Sequence, residues 1–183
     1  MQIIMVDAVS VNGKITKGAA SDTHTWTSSE DWDAFVRLRD ACDVLVMGAA
    51  TYEAVRPTAS ASLLRVVLTN HPEKYSSVCV PGQLEFVAED PQALVKRLAK
   101  AGHSTLLVAG GSHVNSQFLA AGLVDDVYLT FEPVLFGAGT PLVIETDLEV
   151  SLRLQSVRTL NPQGTLLAHY TVERPVDLSV VIR

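Results

Sequence analysis

Two glycine-containing segments, each joining a predicted strand to a predicted helix, have the composition of anion-binding loops. The first is VMGAAT (46–51) and the second is VAGGS (108–112). Amides at a helix N-terminus carry partial positive charge, and glycine lets the backbone come close to a bound anion. The chain has neither the GxGxxG pattern of a Rossmann site nor a P-loop pattern, so neither of those sites is expected. Each segment alone is also compatible with an ordinary loop.

A third segment, Thr69-Asn70-His71, follows another predicted strand and offers hydroxyl, amide and imidazole donors without an acid. Since an acid usually binds a ribose diol, donors alone suit a phosphate better, although the same residues are common in simple turns. In open α/β sheets, ligands bind at the carboxyl ends of the strands. Three phosphate-compatible segments in one small sheet therefore indicate a site for an extended dinucleotide.

Two further side chains have alternative interpretations. Lys14, in an Asn-Gly-Lys turn, is either a solvated turn residue or a cation for a substrate anion. Trp26 either anchors the core or stacks on a planar substrate, and its polar neighbours favour stacking. The sequence leaves both alternatives open.

The elements that carry these segments alternate along the chain. Short apolar runs predict five strands, at 2–9, 43–48, 63–69, 84–88 and 104–111. Helical patterns lie between and after them, at 29–41, 51–55, 91–102 and 114–122. This alternation indicates a largely parallel sheet. Beyond 125–136, alternating segments at 148–158 and 165–173 flank the turn Asn161-Pro162-Gln163-Gly164, which predicts an antiparallel hairpin added to that sheet.

Composition restricts the class of protein. The 183 residues are 48% hydrophobic, enough for a core, and we expect one domain over 1–183. Twenty acids against 14 Lys and Arg, without a basic run, argue against a nucleic-acid partner. Two cysteines without ligand spacing argue against a disulfide framework or a metal site. Without a signal peptide or a long apolar run, we expect a cytoplasmic protein with no membrane partner.

The last residues, PVDLSVVIR (175–183), are apolar and suggest an edge that pairs with a second copy of the chain. The same segment could instead close its own sheet. We therefore expect a homodimer, with this alternative open.

Several segments resemble known reductases. MGAATYEAV (47–55), VVLTNHP (66–72) and LVAGGSHVNSQFL (107–119) are similar to three nucleotide-contacting segments of dihydrofolate reductases, in the same order and at similar spacing. VSVNGKI (9–15) and the segments at 26–48 and 120–142 resemble more closely the pyrimidine reductase domain of riboflavin biosynthesis. The resemblance covers about residues 2–145. It implies a three-layer α/β fold of the dihydrofolate reductase type: a central, mostly parallel mixed sheet, helices on both faces, and a C-terminal antiparallel hairpin.

The resemblance also implies an activity and a set of site residues. The implied activity is NADPH-dependent reduction of a small heterocyclic substrate. The implied cofactor-binding residues are Ala8, Ile15, Gly48, Thr51, Thr69, Asn70, His71, Gly110, Gly111, Ser112 and Val114. Asp31 falls where folate reductases carry a catalytic acid, and Thr130 falls where a hydroxyl partners it. Asp31 is equally a first-turn acid of the kind that the helix dipole favours.

The substrate-binding residues of these families are poorly matched. Pyrimidine reductases have a DDPxLxxR loop where this chain has YEAVRPTASASLL (52–64), so only Arg56 is left to bind a phosphate. Leu63 stands where folate reductases bind the folate tail with an arginine. Lys14, Trp26 and Arg56 remain the expected substrate-binding residues. The alternatives are a different reductase of the same superfamily or a cofactor-binding module without turnover.

Overall fold

The computed structural model describes residues 1–19 and 23–174. Within those ranges the strands are β1 (Gln2–Ser10), β2 (Val44–Gly48), β3 (Leu64–Leu68), β4 (Leu84–Val87), β5 (Thr105–Val108), β6 (Asp126–Glu132), β7 (Leu152–Thr159) and β8 (Leu166–Val172). The α-helices there are α1 (Ser29–Asp40), α2 (Ala49–Val55), α3 (Pro91–Lys100) and α4 (Ser112–Ala120). All the elements predicted from periodicity are present.

One mixed sheet contains the eight strands in the order β4-β3-β2-β5-β1-β6-β8-β7. The first six strands in this order pair in parallel, whereas β8 is antiparallel to both β6 and β7. The predicted mostly parallel sheet with a C-terminal hairpin is therefore confirmed. The last nine residues, which suggested pairing with a second copy, lie outside the described residues.

Helices cover both faces of the sheet. On one face, Leu94 and Leu98 of α3 and Phe118 of α4 pack against buried strand residues. On the other face, Phe35 of α1 and Tyr52 of α2 belong to a second core cluster. Burying a side chain of this size stabilises the fold by about 1.5–3 kcal/mol, so the two clusters hold the three layers together.

Side-chain caps and a proline fix where two of the helices begin. The Ser28 hydroxyl accepts a hydrogen bond from the amide of Asp31 at the start of α1. The Asp90 carboxylate does the same for Ala93 in α3, which has Pro91 in its first turn. Such caps satisfy amides that have no partner within the helix. No helix in the described part of the chain is long and apolar enough to cross a membrane.

The two glycine junctions differ in detail from the prediction. Strand β5 ends at Val108, before the glycines, and α4 begins at Ser112 rather than at residue 114. Likewise α2 begins at Ala49 rather than at residue 51. The reason is that Gly48 and Gly111 are extended N-cap residues, so each helix begins immediately after its glycine.

Candidate functional site

Two central strands separate at one edge of the sheet, which is where a ligand cleft is expected in folds of this kind. Strands β1 and β5 pair as far as Met5 and Val108. Beyond that point β1 continues alongside β6, up to the pair Ser10 and Glu132, while the chain after β5 turns into the double glycine. The carboxyl ends of the parallel strands thus border a cleft on the edge of the sheet where ligands of such folds bind.

The two glycine junctions meet at this edge. The amide of Gly48 donates a hydrogen bond of 3.0 Å to the carbonyl of Gly110. A Cβ built on Gly48 would lie 3.1 Å from Cγ2 of Val114, and one built on Gly111 would lie 3.6 Å from Oγ1 of Thr51. A side chain at Gly48 would therefore crowd Val114, which would have to shift by a few tenths of an ångström. The structure brings together five of the predicted cofactor-binding residues here: Gly48, Thr51, Gly110, Gly111 and Val114.

These junctions are suited to an anion. Gly48 and Gly111 are the N-caps of α2 and α4, and glycine has no side chain that could accept bonds from the first-turn amides. The hydroxyl of the buried Ser112 donates to the carbonyl of Pro141, so Ser112 can offer its backbone amide but not a free hydroxyl to a ligand. Helix α4 thus presents its positive end and its free amides to the cleft.

The third predicted segment lies at the same edge, after β3, but it differs from the prediction. The hydroxyl of Thr69 accepts a bond of 3.1 Å from the amide of His71. The carboxylate of Glu73 lies 3.3 Å from Nδ1 of His71, and both side chains are exposed. The expectation of donors without an acid is therefore wrong, because the turn after Asn70 brings Glu73 back to His71.

Asp31 and Thr130 are brought together as expected. Thr130 on β6 is buried and is the register partner of Ala8 on β1. Asp31 lies in the first turn of α1, and the hydroxyl of Thr130 bonds to its carboxylate. Burial raises the pKa of Asp31, the bond from Thr130 lowers it, and the charge of Glu132 raises it. The net direction is upwards, so this carboxyl holds its proton to a higher pH than an exposed aspartate does.

A second acid, Asp7, lies beneath the double glycine and was missed from the sequence. A Cβ on Gly110 would lie 2.9 Å from its Oδ1, and Nδ2 of Asn115 donates to its Oδ2 at 2.8 Å. Burial raises the pKa of Asp7 to about 7. The hydrogen bond from Asn115 lowers this pKa, and the charge of Asp31 raises it further. An aspartate inside the apolar run QIIMVDAV (2–9) was the available signal, because carboxylates are rare in such strands.

Of the predicted substrate-binding residues, Arg56 is not available in the expected way. Its side chain is exposed and forms an ion pair with Glu53 of its own helix. Lys14 forms an isolated backbone bridge with Pro141, which holds the turn beside the buried Ile15. Arg56 would therefore have to leave its exposed pair with Glu53 to bind a substrate phosphate.

Trp26 borders a polar cavity whose lining includes the acids Glu30 and Glu132. The edge of its ring packs against Phe136, with ring centroids 5.2 Å apart. Its buried indole N–H has no hydrogen-bond partner among the described residues. The cavity has a volume of about 460 Å³ and is also lined by Asn161 and Thr165. Trp26 is thus both an anchor and a donor that a ligand could use.

Comparisons with known proteins agree with this architecture. A pyrimidine reductase-like protein from Corynebacterium diphtheriae superposes with a TM-score of 0.78 at 17% identity, covering 94% of this chain and 92% of that one. The diaminohydroxyphosphoribosylaminopyrimidine deaminase/5-amino-6-(5-phosphoribosylamino)uracil reductase of Thermotoga maritima gives a TM-score of 0.74 at 17% identity, over 94% of this chain and 56% of that one. At such identities the likeness shows a shared fold.

Sequence comparison gives the family. The Bacillus subtilis protein YwjB, which is uncharacterized, is 27% identical over 160 residues, covering 85% of this chain and 90% of YwjB. The RibD C-terminal domain family matches residues 1–166, which include the cleft, both glycine junctions and all the acids described above. The chain therefore belongs to the RibD C-terminal domain family, a reductase-like family with the dihydrofolate reductase-type fold.

Proposed function

We propose that this protein is an NADPH-dependent reductase of a small heterocyclic substrate, similar to 5-amino-6-(5-phosphoribosylamino)uracil. The observation that carries the proposal is the proximity of an anion-binding junction to a buried proton-holding pair. Gly110 lies against Asp7, the next residue Ala8 is paired with Thr130, and Thr130 bonds to Asp31. One end of a cofactor and one end of a substrate would therefore meet across β1.

The glycine junctions fit the phosphates of NADPH. The first-turn amides of α4 and α2 would bind the pyrophosphate, with Gly48 and Gly111 leaving room for it. Ala8 and Ile15 would border the nicotinamide, and Thr69, Asn70 and His71 would face the adenosine end. The pair formed by His71 and Glu73 weakens the case for a 2′-phosphate, so the preference for NADPH over NADH rests on the family rather than on this turn.

The acids would supply the proton. Reduction of a C=N or C=O bond adds a hydride to carbon and a proton to the heteroatom, and NADPH provides the hydride. Asp31 is the side chain that would hold the proton, because burial raises its pKa and the Thr130 hydroxyl orients its carboxyl. A positioned acid of this kind contributes roughly 10²- to 10⁴-fold to a reaction rate.

The substrate proposal depends on the side chains around the polar cavity. Trp26 would stack on a planar ring or donate its unpaired N–H to it. Lys14, in the turn after β1 and outside this cavity, would approach an anionic group of the substrate. The pairing of Arg56 with Glu53 argues against a ribose phosphate held from that helix. The proposed substrate is therefore a heterocycle of the aminopyrimidine or pterin type, with or without a phosphate.

Cofactor binding is the first test of this function. Calorimetric titration of the protein with NADPH and NADH should show saturable binding of NADPH. The Gly111→Val variant should lose that binding while staying folded, because its side chain would cover the amides of α4. Ala120→Val, at the exposed other end of the same helix, is the matched control. If Gly111→Val binds NADPH as tightly as the parent does, the junction is only a turn.

Turnover is the second test. NADPH oxidation at 340 nm, measured with a panel of aminopyrimidines and pterins, should identify a substrate. Tight NADPH binding without oxidation across the whole panel would favour a cofactor-binding module instead. Absence of binding to both nicotinamide cofactors would contradict the proposed function itself.

A further inference from the structure

Glu132 is a buried acid that the proposed function does not use. It is the last residue of β6, two positions after Thr130, so the two side chains lie on the same face of the sheet. Only 3% of its surface is exposed. Burying a carboxylate is costly unless hydrogen bonds and nearby charges compensate for the lost water. A carboxylate in this position therefore needs hydrogen-bond donors around it.

Those partners belong to two separate elements. Oε1 of Glu132 accepts hydrogen bonds from the amide and the hydroxyl of Ser28, both at 2.7 Å. Oε2 accepts a bond of 2.7 Å from the hydroxyl of Thr165, in the turn of the β7–β8 hairpin. Asn161 donates to the same Thr165 hydroxyl at 2.9 Å and extends the network to Glu30 at 3.3 Å. One carboxylate thus joins the start of α1 and the C-terminal hairpin to the end of β6.

The contact with Ser28 leads directly to the proposed proton donor. Ser28 caps α1, and its hydroxyl accepts a bond of 3.3 Å from the backbone amide of Asp31. The first turn of α1 is therefore anchored through Glu132 to β6, the strand that also carries Thr130. A helix that moved on β6 would separate the Asp31 carboxyl from the Thr130 hydroxyl.

We propose that Glu132 is a positioning residue for Asp31: it fixes the first turn of α1 on β6, so that the Asp31 carboxyl meets Thr130, and it presents a negative charge to that carboxyl. The inference rests on the proposed function, in which Asp31 holds the proton for the reduction. It extends that function by naming the group that controls both the place and the charge state of the proton donor.

The electrostatic surroundings of Asp31 support this role. Burial has the largest effect on the pKa of Asp31, and the hydrogen bond from Thr130, which lowers this pKa, has the second largest. The negative charge of Glu132 comes third and raises the pKa of Asp31. The bond from Thr27 and the charge of His24, from the segment before α1, lower it. Asp7, on the neighbouring β1, is coupled to Asp31 by like-charge repulsion. A neutral side chain at position 132 could accept the same hydrogen bonds from Ser28, but it would not favour the protonated form of Asp31.

The test is an NMR titration of the Asp31 side-chain carboxyl in the free protein, followed by carbon chemical shift. The Glu132→Gln variant keeps the size of the side chain and a carbonyl acceptor for Ser28, but it removes the charge. We expect the pKa of Asp31 to fall in this variant, because the substitution removes a nearby like charge. Thr165→Val is the matched control, because it removes one hydrogen bond to Glu132 and leaves the charge in place, and the pKa of Asp31 should stay nearly constant.

The outcomes separate this proposal from the proposed function. An unchanged pKa of Asp31 in Glu132→Gln, or equal falls in both variants, would overturn the role of the charge. If Glu132→Gln does not fold, Ser28→Ala decides, because it removes the hydroxyl that joins Glu132 to the first turn of α1. An unchanged pKa of Asp31 in Ser28→Ala would contradict the anchoring of this turn through Glu132. The measurement needs neither cofactor nor substrate. Failure of NADPH to bind would therefore contradict the proposed function while leaving the coupling of Glu132 to Asp31 measurable on its own.

Discussion

Replacing Asp7 by asparagine should change how the stability of the protein depends on pH. Burial raises the pKa of Asp7 from 3.8 to about 7 in the folded protein, with a further contribution from Asp31. The unfolded chain therefore loses this proton at lower pH than the folded one does. Between these two values the unfolded state binds fewer protons, so the free energy of unfolding decreases as the pH rises. The contribution of Asp7 is fully present below about pH 4 and is lost as the pH rises through about 7.

The size of the effect follows from the two pKa values. A difference of about three pH units corresponds to about 4 kcal/mol of unfolding free energy. Asp7 lies at a cleft and is not completely enclosed, so solvent screening reduces this to about 2–4 kcal/mol. Asparagine keeps an oxygen that can accept from Asn115, and it carries no charge at any pH. The stability of Asp7→Asn relative to the parent should therefore increase by about 2–4 kcal/mol between about pH 4 and pH 8.

The assay is urea denaturation followed by tryptophan fluorescence, at pH values spaced between about 4 and 8, for the parent and for Asp7→Asn. Differences between the two proteins cancel the contributions of most other titrating groups. Asp33→Asn, at an exposed residue of the first turns of α1, is the control for removing a carboxylate from the surface. A flat difference for Asp7→Asn over the same range would refute the assignment of a raised pKa to Asp7, and with it the view that the cleft is poorly solvated at this point.

The remaining predictions concern the proton donor, the cofactor and the assembly. Asp31→Asn should lower turnover of the true substrate by about two to four orders of magnitude, with little change in the Kd for NADPH. The control Glu30→Gln should leave turnover nearly unchanged. Equal turnover in Asp31→Asn and in the parent would mean that the proton comes from solvent. Thermal stabilisation should be larger with NADPH than with NADH at equal concentration, and equal shifts would contradict recognition of the 2′-phosphate. We also expect a homodimer through the apolar segment 175–183. In sedimentation equilibrium the parent should be dimeric and a chain that lacks these nine residues should be monomeric, and a monomeric parent would contradict the prediction.

The order of strands and helices could be predicted from the sequence because the signals are local. Apolar runs of four to nine residues, separated by helical patterns, determine alternating elements whatever their partners are. The glycine junctions were also visible, since Gly48 and Gly110-Gly111 follow apolar runs directly. What periodicity could not give is the exact start of α2 and α4, because an extended glycine N-cap belongs to neither the strand nor the helix.

The pairing of Asp31 with Thr130 was expected only through resemblance to folate reductases. Nothing local connects a helix-start acid to a threonine in a strand about one hundred residues later. In the structure the two meet because β6 lies beside β1 and α1 packs across that face of the sheet. The turn after β3 shows the converse case: His71 and Glu73 are only two residues apart, but their contact depends on the geometry of the turn, which the residue types alone do not give.

The sequence by itself determined the succession of elements, the glycines that leave helix N-termini open, and the presence of an aspartate in the first turn of α1. Only the tertiary structure decided which acids surround that aspartate. The bond from Ser28 to Glu132 joins residues 104 positions apart, and the one from Asn115 to Asp7 joins residues 108 apart. Such contacts depend on strand order and register, which place distant side chains on one face, and on burial, which makes a carboxyl keep its proton. Strand order, register and burial are not properties of any short stretch of sequence, so the fold sets the charge state of this site.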